Sequence, residues 1–294
     1  MSGALKEVRN RIKSVQSTQQ ITKAMKMVSA AKLRRAQEAI TQMRPYAAKL
    51  QDMLGNIVRN TEGDISLNLA TERPIEKVLI ILITSDRGLC GAYNANLIKV
   101  ARTTIEQKYA AQDAKGNVSI WAIGKKGFEY FQRKNKPVAD TYKDIFLNLS
   151  FEQVQQCAQA AIKGFTDHQF DAVEIVYSEF KNAGSQQFAA EQMLPIPTIE
   201  NKTNNKTKAD FIFEPNKEIL ITTLIPKILN TQLYKAVLDA QASEHGARMT
   251  AMDKASENAN ELLRSLRISY NRARQAAITT ELTEIVSGAA ALQN

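Results

Sequence analysis

The chain has 294 residues and a net charge of +9, with 44% hydrophobic and 23% charged side chains, the composition of an ordinary folded protein. Its longest wholly apolar run, Val78–Ile83, falls far short of the roughly 20 residues of a membrane span, and Met1–Arg11 lacks the apolar stretch of a secretory leader. Two cysteines (Cys90, Cys157) and two histidines (His168, His245) supply neither a disulfide framework nor a zinc ligand set, so a reducing, cytoplasmic-side protein is expected.

The excess charge is local. Residues 1–60 carry 12 basic and 3 acidic side chains, and the remainder carries 27 of each. A one-sided basic segment predicts an acidic partner surface. Gly3–Arg59 holds one proline (Pro45) and one glycine (Gly55) among good helix formers, so a long helix is expected, bent mildly at Pro45. Leu5, Val8, Ile12 and Val15, then Leu33, Ala36, Ile40, Met43, Ala47, Leu50, Leu54 and Ile57 step alternately by three and four. That is a heptad seam, which predicts a left-handed coil with a partner helix. Between them the same phase falls on polar Gln19, Thr22, Lys26 and Ser29, while Ile21, Met25 and Val28 lie on another face. The greasy side is therefore expected to turn away there and to form a second contact surface.

The middle alternates strand and helix. Val78–Ile83 reads as a strand buried on both faces, followed by a Gly-rich turn and a helix over 94–109. Val118–Ile123 is a second strand, with a helix over 125–134 after it. A helix over 151–166, a strand over 172–180 and an added strand over 187–196 complete a Rossmann-like α/β domain with a mainly parallel sheet. The polar stretch 201–208 reads as an exposed loop. Residues 227–294 hold no proline and two glycines, with Pro226 suited to a first helical turn. A helix of about 60 residues would be roughly 90 Å long. That length predicts an elongated molecule whose terminal helices pair as an antiparallel coiled coil. Small and polar residues over 240–260 suit close helix approach, and the apolar tip Leu282, Ile285, Val286 suits burial against another protein. The expected organisation is 1–62 for the first coil helix, 73–200 for the α/β domain and 209–294 for the second coil helix.

No catalytic constellation is visible. Ser85–Asn94 follows the first strand, where open α/β sheets bind phosphates, yet it is neither GxGxxG nor GxxxxGK[ST]. A tight turn needing Gly88 and Gly91 is the plainer reading, with Asp86 and Arg87 bonded within it. No catalytic, cofactor-binding or metal-binding residue is assigned. A nucleotide-using α/β enzyme and a basic coiled-coil nucleic-acid binder stand as alternatives. The first lacks a phosphate loop. The second lacks aromatics, Tyr46 being the one in residues 1–60.

Three blocks, Arg11–Lys32, Ser85–Gly91 and Tyr270–Ala290, resemble the gamma subunits of rotary F-type ATP synthases, and the resemblance covers the whole chain. It implies a non-catalytic central-stalk rotor that couples proton translocation to ATP synthesis or hydrolysis. It implies no cofactor, no nucleic acid and no transmembrane segment. The implied partners are three alpha and three beta subunits, the epsilon subunit and the membrane c-ring, at the cytoplasmic face of the inner membrane. By the same resemblance Lys23, Met25, Arg34 and Arg35 lie near an acidic loop of beta, and Arg248, Gln275, Thr279 and Glu284 match positions that hydrogen-bond beta. Phe211, Phe213 and Glu214 match a foot segment on the c-ring, with phenylalanine where tyrosine is frequent. The apolar tip would turn in a sleeve at the top of the ring. The two cysteines, distant in sequence, do not match the inserted pair of photosynthetic relatives, so no thiol control is expected.

Overall fold

The computed structural model describes residues 3–59, 69, 71, 73–196 and 217–291. The elements are α1 (Gly3–Arg59), β1 (Val78–Ile83), α2 (Tyr93–Lys108), α3 (Ala110–Ala114), β2 (Val118–Ile123), α4 (Lys125–Arg133), β3 (Val138–Ala139), α5 (Phe151–Thr166), β4 (Ala172–Asn182), β5 (Ser185–Leu194) and α6 (Lys217–Ala291). They gather into two compact units, one of Ala31–Ala247 and one of Met1–Ala30 with Arg248–Asn294.

The larger unit is built on a five-stranded sheet in the order β3-β2-β1-β4-β5. β1 pairs in parallel with β2 and β4, β2 pairs in parallel with β3, and β5 closes the edge antiparallel to β4. All six residues of β1 are buried, because β1 is the central strand and both of its faces are covered. Leu79, Ile81 and Ile83 face one core with Val173 and Ile175 of β4, Val154 and Phe165 of α5, and Ile228, Leu233 and Val237 of α6. Val78, Ile80 and Leu82 face the other with Leu97 and Ala101 of α2 and Phe131 of α4. Three elements go beyond the sequence expectation, the two-residue β3, the short helix α3 and a 3-10 turn at Ile145–Leu147, each too short to leave a periodic signal.

Gly124 positions the top of this sheet. Its φ is +99°, and a Cβ there would sit 2.1 Å from the Thr84 carbonyl oxygen. Gly127 closes on the same residue, its N–H donating to Thr84 Oγ1 at 2.8 Å. The start of α4 is thereby held against the end of β1.

α6 begins at Lys217, so Pro226 sits inside the helix and not in its first turn. Proline removes one donor from an interior turn. Around it Ile225, Ile228 and Leu229 are anchored in the sheet-facing core, and that burial carries the helix through.

The smaller unit corrects one half of an expectation. The seam of α1 is not broken at the polar residues, although Ile21 and Val28 do face away from it. Leu5, Gln19 and Ser29 are buried, Val8, Ile12, Val15, Thr22 and Lys26 are half-buried, and Ile21 and Val28 face solvent. The phase is unbroken because the polar positions are paired. Gln19 donates to Asn260, Thr22 shares a 2.7 Å hydroxyl bond with Ser256, and Lys26 meets Asp253 at 2.5 Å. Rising numbers on α1 meet falling numbers on α6, so the helices run antiparallel. The facing stripe on α6, Met252, Ser256, Ala259, Leu263 and Leu266, is buried at the same alternating spacing. A polar side chain at a seam position lowers stability. Gln19→Leu is therefore expected to stabilise the full chain by about 1 kcal/mol, read as a raised urea midpoint at unchanged m-value.

Candidate subunit-contact surface

The heptad seam uses one face of each helix, and apolar side chains lie exposed both opposite the seam and past its end, where every residue from 278 to 289 of α6 is exposed. On α1 these are Ile21, Met27 and Val28, the last two 67% and 56% exposed. On α6 they are Ile268, Ile278, Leu282, Ile285 and Val286, rising to 68% at Ile285. Ile278, Leu282 and Ile285 recur at four and three residues, which aligns them as one stripe on the helix. Apolar stripes of this kind mark contact with another macromolecule.

Most of the residues singled out in the sequence share this exposed character. Lys23, Arg34 and Arg35 are exposed, and Met25 is half-buried. Arg34 pairs with Glu38 one turn on at 3.1 Å, a surface pair of small energetic weight. Gln275, Thr279 and Glu284 are exposed, with the Thr279 hydroxyl donating to the Gln275 carbonyl at 3.0 Å. Arg248 differs, being 9% exposed and engaged within the chain. Phe211, Phe213 and Glu214 lie outside the described residues, as does the polar stretch 201–208. Met27 and Ile268 were missed in the sequence, and their off-seam phase is the signal that would have found them.

The turn after β1 is closed on itself. Ser85 N–H donates to Asn94 Oδ1 at 3.0 Å, Ser85 Oγ donates to the Arg87 carbonyl at 2.7 Å, and Asn94 Nδ2 reaches Cys90 Sγ at 3.2 Å. Asp86 does not bond within the turn but accepts from the Lys125 N–H at 3.2 Å, at the start of α4. Burial pushes the Asp86 carboxyl up from its ordinary value, against the pull of Lys125. The left-handed positions are Leu89 (φ 64°) and Gly91 (φ 61°), so Gly91 is required by the backbone while Gly88 is not. Leu89 is 66% exposed, a bulky side chain in an uncommon conformation presented outward.

His168 and Asp171 serve structure. His168 caps the end of α5 with φ 55° and meets Arg73 at 2.7 Å. Arg73 also pairs with Asp171 at 2.7 Å. Desolvation raises the Asp171 carboxyl, but the Lys77 and Glu76 N–H groups and Arg73 outweigh it, and its pKa is lowered. Among the described residues no group of histidines, cysteines and carboxylates could hold a metal ion, and no helix is long and apolar enough to cross a membrane.

Comparison with known proteins bears on these surfaces. A family model described as ATP synthase matches residues 4–292. The chain is 50% identical over 293 residues to the ATP synthase gamma chain of Cytophaga hutchinsonii, covering 99% of each. It is 50% identical over 288 residues to the ATP synthase gamma chain of Flavobacterium johnsoniae, covering 98% of each. Its fold resembles a chain in the OSCP/F1/c-ring structure of the Euglena gracilis mitochondrial ATP synthase, with a TM-score of 0.65 at 22% identity over 99% of this chain and 95% of that one. It also resembles a chain in the central stalk and c-ring structure of the Tetrahymena thermophila mitochondrial ATP synthase, with a TM-score of 0.57 at 25% identity over 80% and 99%.

Proposed function

Since this chain belongs to the ATP synthase gamma-chain family, we propose that it is the central-stalk rotor of an ion-driven ATP synthase, transmitting torque between the c-ring and the alpha/beta ring. The observation that carries this reading is the two-faced character of the terminal helices. One face of each is spent on the intramolecular seam, while Ile21, Met27 and Val28 on α1 and Ile268 on α6 remain exposed opposite it, and beyond the seam α6 runs on with Ile278, Leu282 and Ile285 uncovered. A shaft inside a ring needs both. It must hold itself together, and it must present a surface that its surroundings can follow without gripping it.

The shaft comprises 1–62 and 209–294, and the α/β domain over 73–200 belongs to the foot, beside the epsilon subunit and the c-ring. Lys23, Met25, Arg34 and Arg35 present basic and apolar groups to the acidic face of beta, and Gln275, Thr279 and Glu284 offer it hydrogen bonds. Arg248 belongs to the same set by resemblance, with 9% of its surface left exposed to meet beta. Phe211, Phe213 and Glu214 belong to the c-ring contact. ATP chemistry resides in the neighbouring subunits, and the assembly sits at the cytoplasmic face of the inner membrane.

The test is isolation of the tagged chain from detergent-solubilised membranes of its own cell, with subunit counting and an ATPase assay. One copy with three alpha and three beta subunits and ATPase activity is expected. Recovery alone or with nucleic acid overturns the reading. At residue level, Gln275→Ala is expected to lower ATP-driven proton pumping in membrane vesicles more than it lowers ATP hydrolysis. Equal losses of both, or no loss, would remove Gln275 from the contact.

A further inference from the structure

Asp239 is a buried acid of the larger unit, and nothing in the rotor reading uses it. It lies on α6 at 1% exposure, and its two oxygens make no well-formed hydrogen bond, although the Phe180 N–H of β4 acts on the carboxyl and favours its ionised form. The cation nearest in space comes from α1. Arg44 Nη2 stands 3.9 Å from Asp239 Oδ1, with its own side chain 54% exposed. That guanidinium is already committed, since it donates to the Phe180 carbonyl of β4 at 3.2 Å. Three elements, α1, α6 and β4, thus meet around one poorly satisfied carboxylate.

The charged and titratable groups around it are few. α1 contributes Arg44, α6 contributes Lys235, and β4 contributes Glu179 and Tyr177. Tyr177 is taken up by Glu191 of β5, to which its hydroxyl donates at 2.9 Å. Glu179 is paired with Lys181 at 2.8 Å. Asp239 is therefore left with two cations that do not hydrogen-bond it, the weak help of the Phe180 N–H, and one acid that opposes it. A buried ionised carboxylate in such a place is expensive.

We propose that Asp239 is a proton-operated clamp. When it is neutral, α1, α6 and β4 close on one another. When it is ionised, the buried charge draws water inward and pulls Arg44 off the Phe180 carbonyl, and the junction loosens. Burial supports this by pushing the Asp239 carboxyl from its ordinary 3.8 up to about 6, against Lys235 and Arg44 and together with Glu179. The sign follows. The folded chain holds a proton between about pH 4 and pH 6 that the unfolded chain has released, so stability falls as pH rises through that window and stays lowered above it.

The test uses the full-length chain alone. Unfolding is measured in urea from pH 5 to pH 7.5 for the native sequence and for Asp239→Asn. Relative to the variant, the native unfolding constant is expected to rise about tenfold across that range. Arg44→Gln removes an attraction and is expected to move the transition to higher pH. A constant offset between native and Asp239→Asn at every pH would mean a merely structural residue and would overturn the proposal. An Arg44→Gln midpoint that does not move would do the same.

The regulatory consequence rests on the rotor reading. At that junction the clamp would make the shaft's seat stiffer as its compartment acidifies. In the purified ATP synthase, Asp239→Asn is then expected to flatten the dependence of ATPase rate on pH between 5.5 and 7.5. An unchanged profile overturns the regulatory role while the chain-level titration still stands. Failure of the chain to assemble at all would count against the rotor reading instead.

Discussion

Gly124→Ala is expected to destabilise the larger unit by about 3 kcal/mol or more. Two independent costs fall on one methyl group. The backbone at Gly124 has φ 99° and ψ 140°, a region that residues with a Cβ avoid. The added Cβ would also lie 2.1 Å from the Thr84 carbonyl oxygen and 2.7 Å from its carbon. These are backbone atoms at the end of the central strand, so they cannot rotate away as a side chain would. Relief requires α4 to lift off β1, which would break the Gly127 N–H to Thr84 Oγ1 bond as well. Gly116→Ala is the matched control. Gly116 has φ 73° but open space around it, so only the conformational cost of about 1 kcal/mol applies. Urea unfolding of the two variants should separate them clearly, and equal losses would show that the contact with Thr84 is not the controlling one.

Lys108→Met is expected to cost about 3 kcal/mol by a different route. Glu174 lies on β4 with its side chain fully buried, and its Oε1 accepts from Lys108 Nζ and from the Tyr109 hydroxyl, each at 2.8 Å. Oε2 has no partner. Lys108 itself is half-exposed, so its ammonium is served by water on one side and by the carboxylate on the other. Taking the lysine away therefore loses little from its own side and strands a charge on the other. The Tyr109 hydroxyl, whose pKa is raised by burial and then by Glu174, can offer one neutral hydrogen bond but no countercharge. Glu174→Gln in the Lys108→Met background should recover most of the loss, because the amide keeps the tyrosine bond and carries no charge. Additive losses in the double variant would contradict the ion-pair account.

The sheet was legible for a physical reason. A strand covered on both faces has no polar position to interrupt it, and Val78–Ile83 reads as such in the sequence and is fully buried in the fold. The helices over 94–109 and 151–166 were found within a residue or two at each end, because their apolar spacing faces a flat sheet. The seam of α1 was legible where it is apolar and misread where it is polar. Gln19 and Thr22 look like surface residues, and only their partners Asn260 and Ser256 on α6 make them part of the seam. No local pattern can announce a partner so distant in the chain. The start of α6 was misplaced because a proline is a strong local stop, and here the core around Ile225 and Ile228 outweighs it.

The contact surface divides in the same way. Exposed apolar residues off the seam phase, such as Ile278 and Leu282, follow from periodicity once the seam is known. Arg248 shows the limit of reading position as exposure, since it lies on the same helix as Gln275 and yet is buried. Leu89 could not be anticipated at all. Its outward presentation depends on a left-handed backbone at a leucine, a choice forced by the hydrogen bonds that close the turn around it.

The polar stretch in the α1 seam has a consequence for synthesis. α1 leaves the ribosome first, and the whole sheet is made before α6 emerges to meet it. At cellular rates of translation that interval is about ten seconds or more. Throughout it, α1 is an amphipathic helix with its stripe uncovered, and an unbroken leucine stripe would pair with another nascent copy of itself. Lys26 and Gln19 make that stripe a poor match for its own kind and a good match for Asp253 and Asn260. The stability surrendered in the finished coil is what keeps its first helix single until its own chain supplies the second.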